Sequence, residues 1–339
     1  MERKLVTIRK IKDIKPIENA DMIEVAIVDG WQVVVKKGEF KVNDFGVYFE
    51  IDSFLPIEDR YEFLRKGCYK KMSDETEGFR LKTIKLRKQL SQGLLLPLGL
   101  FPELKNVKVG DEVTELLKVI KYEPPIPACL SGLMKGRMPS FISKTHQERI
   151  QNLVDYFDKY KDATFEESEK LDGTSMTVYY NDGDFGVCSH NIELKENEDN
   201  TYWKITKEMG LEDILRKCGK NIAVQGELIG EGIQKNHYCI KGQQFRIFDI
   251  WDIDEQRYMT RAERETMFSG FLKVPVYYDS ISIFEKLDNV NDLLKYTEKR
   301  SMLNPQIEAE GLVFKSTELN DGQIVSFKVI NNKQLLKGE

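Results

Sequence analysis

The chain has 339 residues, with 51 Lys and Arg against 56 Asp and Glu, a formal net charge of -5, 41% hydrophobic residues and 32% charged ones, which is enough material for two ordinary domains with their own cores. It has no run of 18 apolar residues, so no transmembrane helix is expected, and Met1-Glu2-Arg3-Lys4 does not lead into the apolar core of a signal peptide. Three histidines (His146, His190, His237) and five dispersed cysteines without a C-x-x-C pair argue against a histidine zinc site, a Ser-His-Asp hydrolase or a disulfide framework, and predict reduced thiols in a cytoplasmic or nuclear compartment.

In chain order, Leu5-Val6-Thr7-Ile8, Ile23 to Val28 and Trp31 to Val35 read as strands, with Asp29-Gly30 as a hairpin turn between the last two. Gly46 to Ile51 and Gly93 to Pro97 add further strands, and this spacing predicts a small β-barrel over residues 1–122. The charge is uneven: residues 1–121 carry 23 Lys and Arg against 20 Asp and Glu, and the rest carries 28 against 36. The basic surplus gathers in Arg65, Lys66, Lys70 and Lys71, then in Arg80, Lys82, Lys85, Arg87 and Lys88. The acidic remainder suits an enzyme that holds divalent metals and ATP, and equally an ordinary acidic surface. Glu123-Pro124-Pro125-Ile126-Pro127 opens a linker over 123–140. Ile150, Leu153, Val154 and Phe157 then predict a helix over 146–160, strands follow from 165, and Trp203 to Cys218 reads as a second helix.

The chemistry concentrates in five segments. Glu169-Lys170-Leu171-Asp172-Gly173-Thr174 is a K-x-D-G motif. Alone it fits a strand-end lysine before an Asp-Gly turn equally well. Val224-Gln225-Gly226-Glu227-Leu228 sets a carboxylate after a glycine in an apolar run, and Phe245 to Ile250 is an aromatic strand. Glu310-Gly311-Leu312-Val313 repeats the carboxylate-glycine pattern, and Ser326-Phe327-Lys328-Val329 places a lysine on a last strand. Each has an ordinary structural reading; five in a fixed order over 165–330 favour a shared site.

This order resembles the covalent nucleotidyltransferase superfamily of DNA ligases, RNA ligases and mRNA capping enzymes. The resemblance implies that Lys170 attacks the α-phosphate of ATP, that Glu227 and Glu310 hold Mg²⁺ or Mn²⁺, and that Lys328 holds the phosphate. It implies that Phe248 stacks on adenine with Val313 on its other face, and that Glu169, Asp172 and Gly173 line the nucleotide. Ser143 to Asn152 resembles the RNA ligase branch, whose arginine, here Arg149, lies near the nucleotide. The chain ends eleven residues after Lys328, where DNA ligases and capping enzymes continue into a C-terminal OB domain. Ile14 to Val25 resembles the opening of tRNA-binding OB domains. Together these are similar to the Naegleria gruberi type of RNA ligase, which joins a 3′-OH to a 5′-phosphate. The expected fold is α+β: an N-terminal OB-type β-barrel (1–122), the linker (123–140) and an antiparallel-sheet nucleotidyltransferase domain (141–339).

Two positions depart from the family pattern. Ser189-His190-Asn191 replaces a triplet with a central arginine, and Ser326 replaces the first lysine of K-x-K. Lys315 or Lys333 is the expected substitute for that missing phosphate contact. An ordinary lysine, with a pKa near about 10.4, is an ammonium at neutral pH and cannot attack phosphorus. Lys328 and a metal are therefore expected to depress the Lys170 pKa. The barrel is expected to grip duplex RNA with Arg65, Lys66, Arg87 and Lys88, with His190 near the nucleic acid and Trp31 or Tyr48 stacking on bases. A monomer that needs no membrane is expected. Alternatives are DNA ligation, GTP-dependent capping, and an RNA-binding protein with an inactive core.

Overall fold

The first strand, Val6–Pro16, is long enough to serve two neighbours. Its first half pairs with Phe45–Phe49 and its second half with Ile23–Val28, and the register slips by one residue between Ile11 and Asp13. Such a bulge bends a strand and increases its twist, so the sheet curls. The computed structural model describes residues 4–72, 74–123, 130, 132–145 and 147–335, and the chain divides into two compact units, residues 1–125 and 126–337. Pro124, Pro125 and Pro127 of the expected linker, and His146, lie outside the described residues.

In the first unit five antiparallel strands run in the order Leu94–Pro97, Phe45–Phe49, Val6–Pro16, Ile23–Val28 and Trp31–Lys36. A smaller sheet carries Ile120–Lys121, Ser53–Leu55, Glu77–Arg80 and Tyr69–Lys71. Alternation along Trp31–Lys36 turns Trp31, Val33 and Val35 inward, where they pack with Tyr48 and Leu95. Trp31 and Tyr48 are both 0% exposed, so neither can stack on a base. The Trp31–Val35 alternation places its odd residues in the core.

The second unit has two sheets. Seven strands run Met134–Arg137, Ile192–Leu194, Asp184–Cys188, Thr174–Asn181, Ile222–Gly230, Gln243–Asp252 and Arg257–Tyr258. Met134–Arg137 falls within the span expected as linker. Five more run Glu148–Arg149, Ser326–Ile330, Gly311–Ser316, Phe165–Lys170 and Val276–Ile281, and only Glu148–Arg149 pairs in parallel among them. The five-stranded sheet packs Phe165, Phe314 and Phe327 against Phe284.

Two expected helices differ. Residues 146–160 do not form one helix: the described part gives a short strand, a 3-10 turn at Ile150–Asn152 and a four-residue helix at Tyr156–Lys159. Backbone pairing of Arg149 with Lys328 draws that segment into the sheet. The span 203–218 is two helices, Thr201–Glu208 and Leu211–Cys218, because Gly210 has a φ of 62° that an α-helix does not tolerate. Among the described residues no helix is long and apolar enough to cross a membrane.

Candidate active site

Lys170 ends its strand where the chain leaves the five-stranded sheet, and Thr174 begins a strand of the seven-stranded one. The turn Leu171-Asp172-Gly173 therefore lies where two sheets converge. Space is short there. A Cβ on Gly173 would come within 2.5 Å of the Leu228 carbonyl oxygen and 2.9 Å of Glu227 Cγ, and one on Gly311 within 2.3 Å of the Val329 carbonyl oxygen. Glycine is needed at both positions for the backbones to approach.

Convergence brings three of the expected residues together. Gly311 pairs with Lys170 in register, so the preceding Glu310 reaches the lysine: both of its carboxylate oxygens lie 2.7 Å from Lys170 Nζ. Glu227, on Ile222–Gly230 and opposite Ser175, adds a second carboxylate next to them. Burial pulls the Lys170 pKa down, but Glu310 and Glu227 outweigh it and raise the net value. The charges nearest the ammonium are carboxylates, which act against the depression expected from Lys328 and a metal. Burial also pushes Glu227 up to about 8, although the nearby Lys170 cation works against it.

Alternation sorts the rest. Ser168 and Lys170 share a face of their strand. Val313 pairs with Ser168 and Lys328 with Val313, so Val313 and Lys328 line that same face of the sheet, with Arg149 next to Lys328. Glu169 points to the opposite face. Its Oε2 accepts the Met302 backbone N–H at 2.8 Å, and the Ser301 and Tyr277 hydroxyls lie close to the carboxylate. Burial raises the Glu169 pKa. Phe248 is half-buried against Leu171, Ile229 and Tyr238.

Lys315 and Lys333 do not replace the lysine that Ser326 lacks. Lys315 is 3% exposed in its side chain, paired with Asp249 at 2.9 Å, and donates to the Phe248 carbonyl at 2.5 Å. Lys333 is paired with Glu298. Alternation puts Lys315 on the Val313 face, but Asp249 and the Phe248 carbonyl hold it there, which the motif spacing did not reveal. His190 occupies the turn between Asp184–Cys188 and Ile192–Leu194. In the first unit, Arg65 is held by both oxygens of Glu62, at 2.6 and 2.7 Å, whereas Lys66, Arg87 and Lys88 are exposed.

One part of the site left no motif. The loop between Gly230 and Gln243 folds onto the K-x-D-G turn. Tyr238, 5% exposed, accepts the Asp172 backbone N–H on its hydroxyl at 2.7 Å. Gln234 donates to the Gly173 carbonyl at 3.1 Å, and His237 Nε2 lies 3.7 Å from Asp172 Oδ2. Asn304 holds the His237 carbonyl at 3.0 Å. The glycines at 230, 232 and 242, all with positive φ, are the only sequence sign of this loop.

A family model described as RNA ligase matches residues 163–330, and one described as an OB-fold domain matches residues 5–98. No curated protein matches. Among solved structures, Naegleria gruberi RNA ligase with PPi is similar at 45% identity, covering 99% of each chain with a TM-score of 0.89. A mutant of that enzyme with ATP and Mn gives the same identity and TM-score over 98% of this chain and 99% of the other. Another mutant, with AMP and Mn, gives them over 99% of each. With that identity over nearly its whole length, the chain belongs to the RNA ligase family, an N-terminal OB-fold domain preceding the antiparallel-sheet domain that carries Lys170.

Proposed function

We propose that the protein uses ATP to join RNA 3′-OH and 5′-phosphate ends at nicks in duplexes, with AMP carried on Lys170. The observation that carries this reading is Lys170 Nζ held between the Glu310 oxygens at the end of a K-x-D-G strand. The relatives solved with ATP, with AMP and with PPi support the same chemistry: a lysine–phosphorus bond forms, the bond to pyrophosphate breaks, and Nζ gives up a proton. AMP then passes to the RNA 5′-phosphate, and attack by the 3′-OH releases it.

Glu227 and Glu310 are the residues that would hold Mg²⁺ or Mn²⁺. An all-oxygen donor set fits either ion, and a raised Glu227 pKa marks a carboxylate short of positive charge. Among the described residues no group of three or more His, Cys, Asp or Glu side chains could hold a metal. Water and phosphate oxygens would complete the shell, as is usual for Mg²⁺. What a divalent cation supplies there is positive charge, which lowers the lysine pKa and offsets charge on the α-phosphate.

Side-chain placement supports the remaining roles. Lys328 and Arg149 contact phosphate, Phe248 and Val313 enclose the adenine, and Asp172 and Gly173 line the nucleotide. His190, Lys66, Arg87 and Lys88 meet the RNA. A monomer suffices, since every nucleotide-side residue comes from the second unit. The free thiols of Cys68, Cys188, Cys218 and Cys239 suit a reducing cytoplasmic or nuclear compartment. We place the OB-fold domain at 1–122 and the nucleotidyltransferase domain at 141–339, joined by 123–140, of which Met134–Arg137 pairs into the second unit's sheet.

Incubation with α-labelled ATP and Mg²⁺ or Mn²⁺ tests the central step. Wild type gains label and Lys170→Ala does not; equal labelling of both overturns the assignment.

A further inference from the structure

Between Gly78 and Pro102 the sequence has five cations, Arg80, Lys82, Lys85, Arg87 and Lys88, and no carboxylate, in a protein of net negative charge. Three of the five sit on one hairpin, Thr83–Leu86 with Gln89–Gln92, where Leu86 faces Gln89 and Arg87-Lys88 form the two-residue turn. That turn is unusual in its residues. Arg87 has a φ of 49° and Lys88 of 69°. Positive φ at both central positions is the type I′ turn, which Asn-Gly or Asp-Gly normally supplies. The hairpin between Thr174–Asn181 and Asp184–Cys188 does so, with Asp182 at 49° and Gly183 at 94°. Arg87-Lys88 is the one place among the described residues where two consecutive non-glycine residues both have positive φ. Side chains with a Cβ are strained there.

The cations are also left available. Arg65, Lys71 and Arg80 are paired with Glu62, Glu75 and Asp52. Lys82, Lys85, Arg87 and Lys88 are exposed and form no ion pair among the described residues. Ile84 and Leu86 on the same ribbon are 44% and 39% exposed. The ribbon is tied down behind its tip: Val34 N–H donates to Ser91 Oγ at 3.0 Å, and Gln89 Nε2 to Gln32 Oε1 at 2.8 Å. A braced ribbon with aliphatic sides and an unpaired cationic tip suits a polyanion whose groove is wide and shallow.

We propose that this hairpin is a grip for duplex RNA, with Lys85, Arg87 and Lys88 on phosphates and Ile84 and Leu86 against riboses of the minor groove. The strained turn is kept because it carries two cations at the point of contact. The proposal rests on the reading that the substrate is duplex RNA.

The test uses the full chain and measures melting temperature and the salt dependence of binding to a nicked RNA duplex. Arg87→Asn/Lys88→Gly installs the turn's preferred residues. We expect it to melt a few degrees higher, to bind the duplex more weakly by on the order of tenfold, and to lose about two from the slope of log affinity against log salt, at about 0.9 per phosphate contact. Lys85→Gln, which leaves the turn intact, is expected to lose about one. Lys108→Gln, an exposed lysine elsewhere in this unit, controls for net charge and keeps the slope. Unchanged affinity and slope in both hairpin variants overturns the proposal. Wild type that binds single-stranded RNA or duplex DNA as well as duplex RNA instead overturns the substrate reading beneath it.

Discussion

Lys170 is held as an ammonium by Glu310 and Glu227. Glu227 bears the cost. Its folded pKa, about 8, lies above the ordinary 4.5. Between those values the folded state binds more protons than the unfolded one, so stability falls as pH rises, and above about 8 the penalty is fully present. Glu227→Gln removes it. We expect this variant, without metal, to melt higher than wild type at pH 8.5 and no higher near pH 4.5, while losing AMP labelling. Melting curves across pH check this; equal melting at pH 8.5 refutes it. Tyr238→Phe tests the loop. It leaves the Asp172 N–H without its acceptor, which costs about 1 kcal/mol, and should slow AMP transfer while ATP affinity stays near wild type. Single-turnover labelling over a range of ATP concentrations separates the two effects. Lys170, Glu227 and Glu310, which the structure brings together, were legible in the sequence because each lies in a short motif with a glycine. Tyr238 was not, since its bond spans 66 residues and uses the backbone of its partner.

At the scale of elements, strands were read better than helices. Trp31–Lys36 follows side-chain alternation, and its hairpin turn with Ile23–Val28 follows Asp29-Gly30. Helix spacing misled where a local φ or a distant strand decided the outcome, at Gly210 and at Arg149. Signals at helix starts are more local. Thr260 and Glu263 form a reciprocal capping box at the start of Arg261–Met267, and Arg257 binds both Glu263 oxygens at 2.9 and 2.7 Å. Those bonds, with the Thr260 N–H, hold the Glu263 pKa at about 2 against an ordinary 4.5. Here the unfolded state binds more protons between the two values. The stabilisation is therefore complete above about 4.5 and is lost as pH falls to about 2. We expect Glu263→Ala to lose about 1 kcal/mol at pH 7 through the cap, with little more from the Arg257 pair, because Glu263 is 40% exposed and screened. The deficit should shrink toward pH 2, and denaturant melts at pH 7 and pH 2.5 measure it. A deficit independent of pH would mean that the carboxylate's charge contributes nothing.

Each unit has its own core: Val6, Phe49, Tyr61 and Phe79 in the first, and Val224, Phe245 and Leu215 with Phe314 and Phe327 in the second. Lys170, Glu227, Glu310, Lys328 and Arg149 all belong to the second. The unpaired hairpin cations belong to the first. On the proposed roles, removing the first unit should leave the rate of the first step intact and lower the occupancy of RNA for the later ones. We expect a chain lacking residues 1–122 to take up AMP at near the wild-type rate, and to seal a nicked duplex far more slowly. Because phosphate contacts set that loss, it should narrow when both proteins are compared at low salt and high RNA concentration, where binding no longer limits sealing. Measuring AMP uptake and nick sealing for both chains at two salt concentrations decides it. If AMP uptake falls as much as sealing does, the first unit supports the fold of the second rather than the hold on RNA.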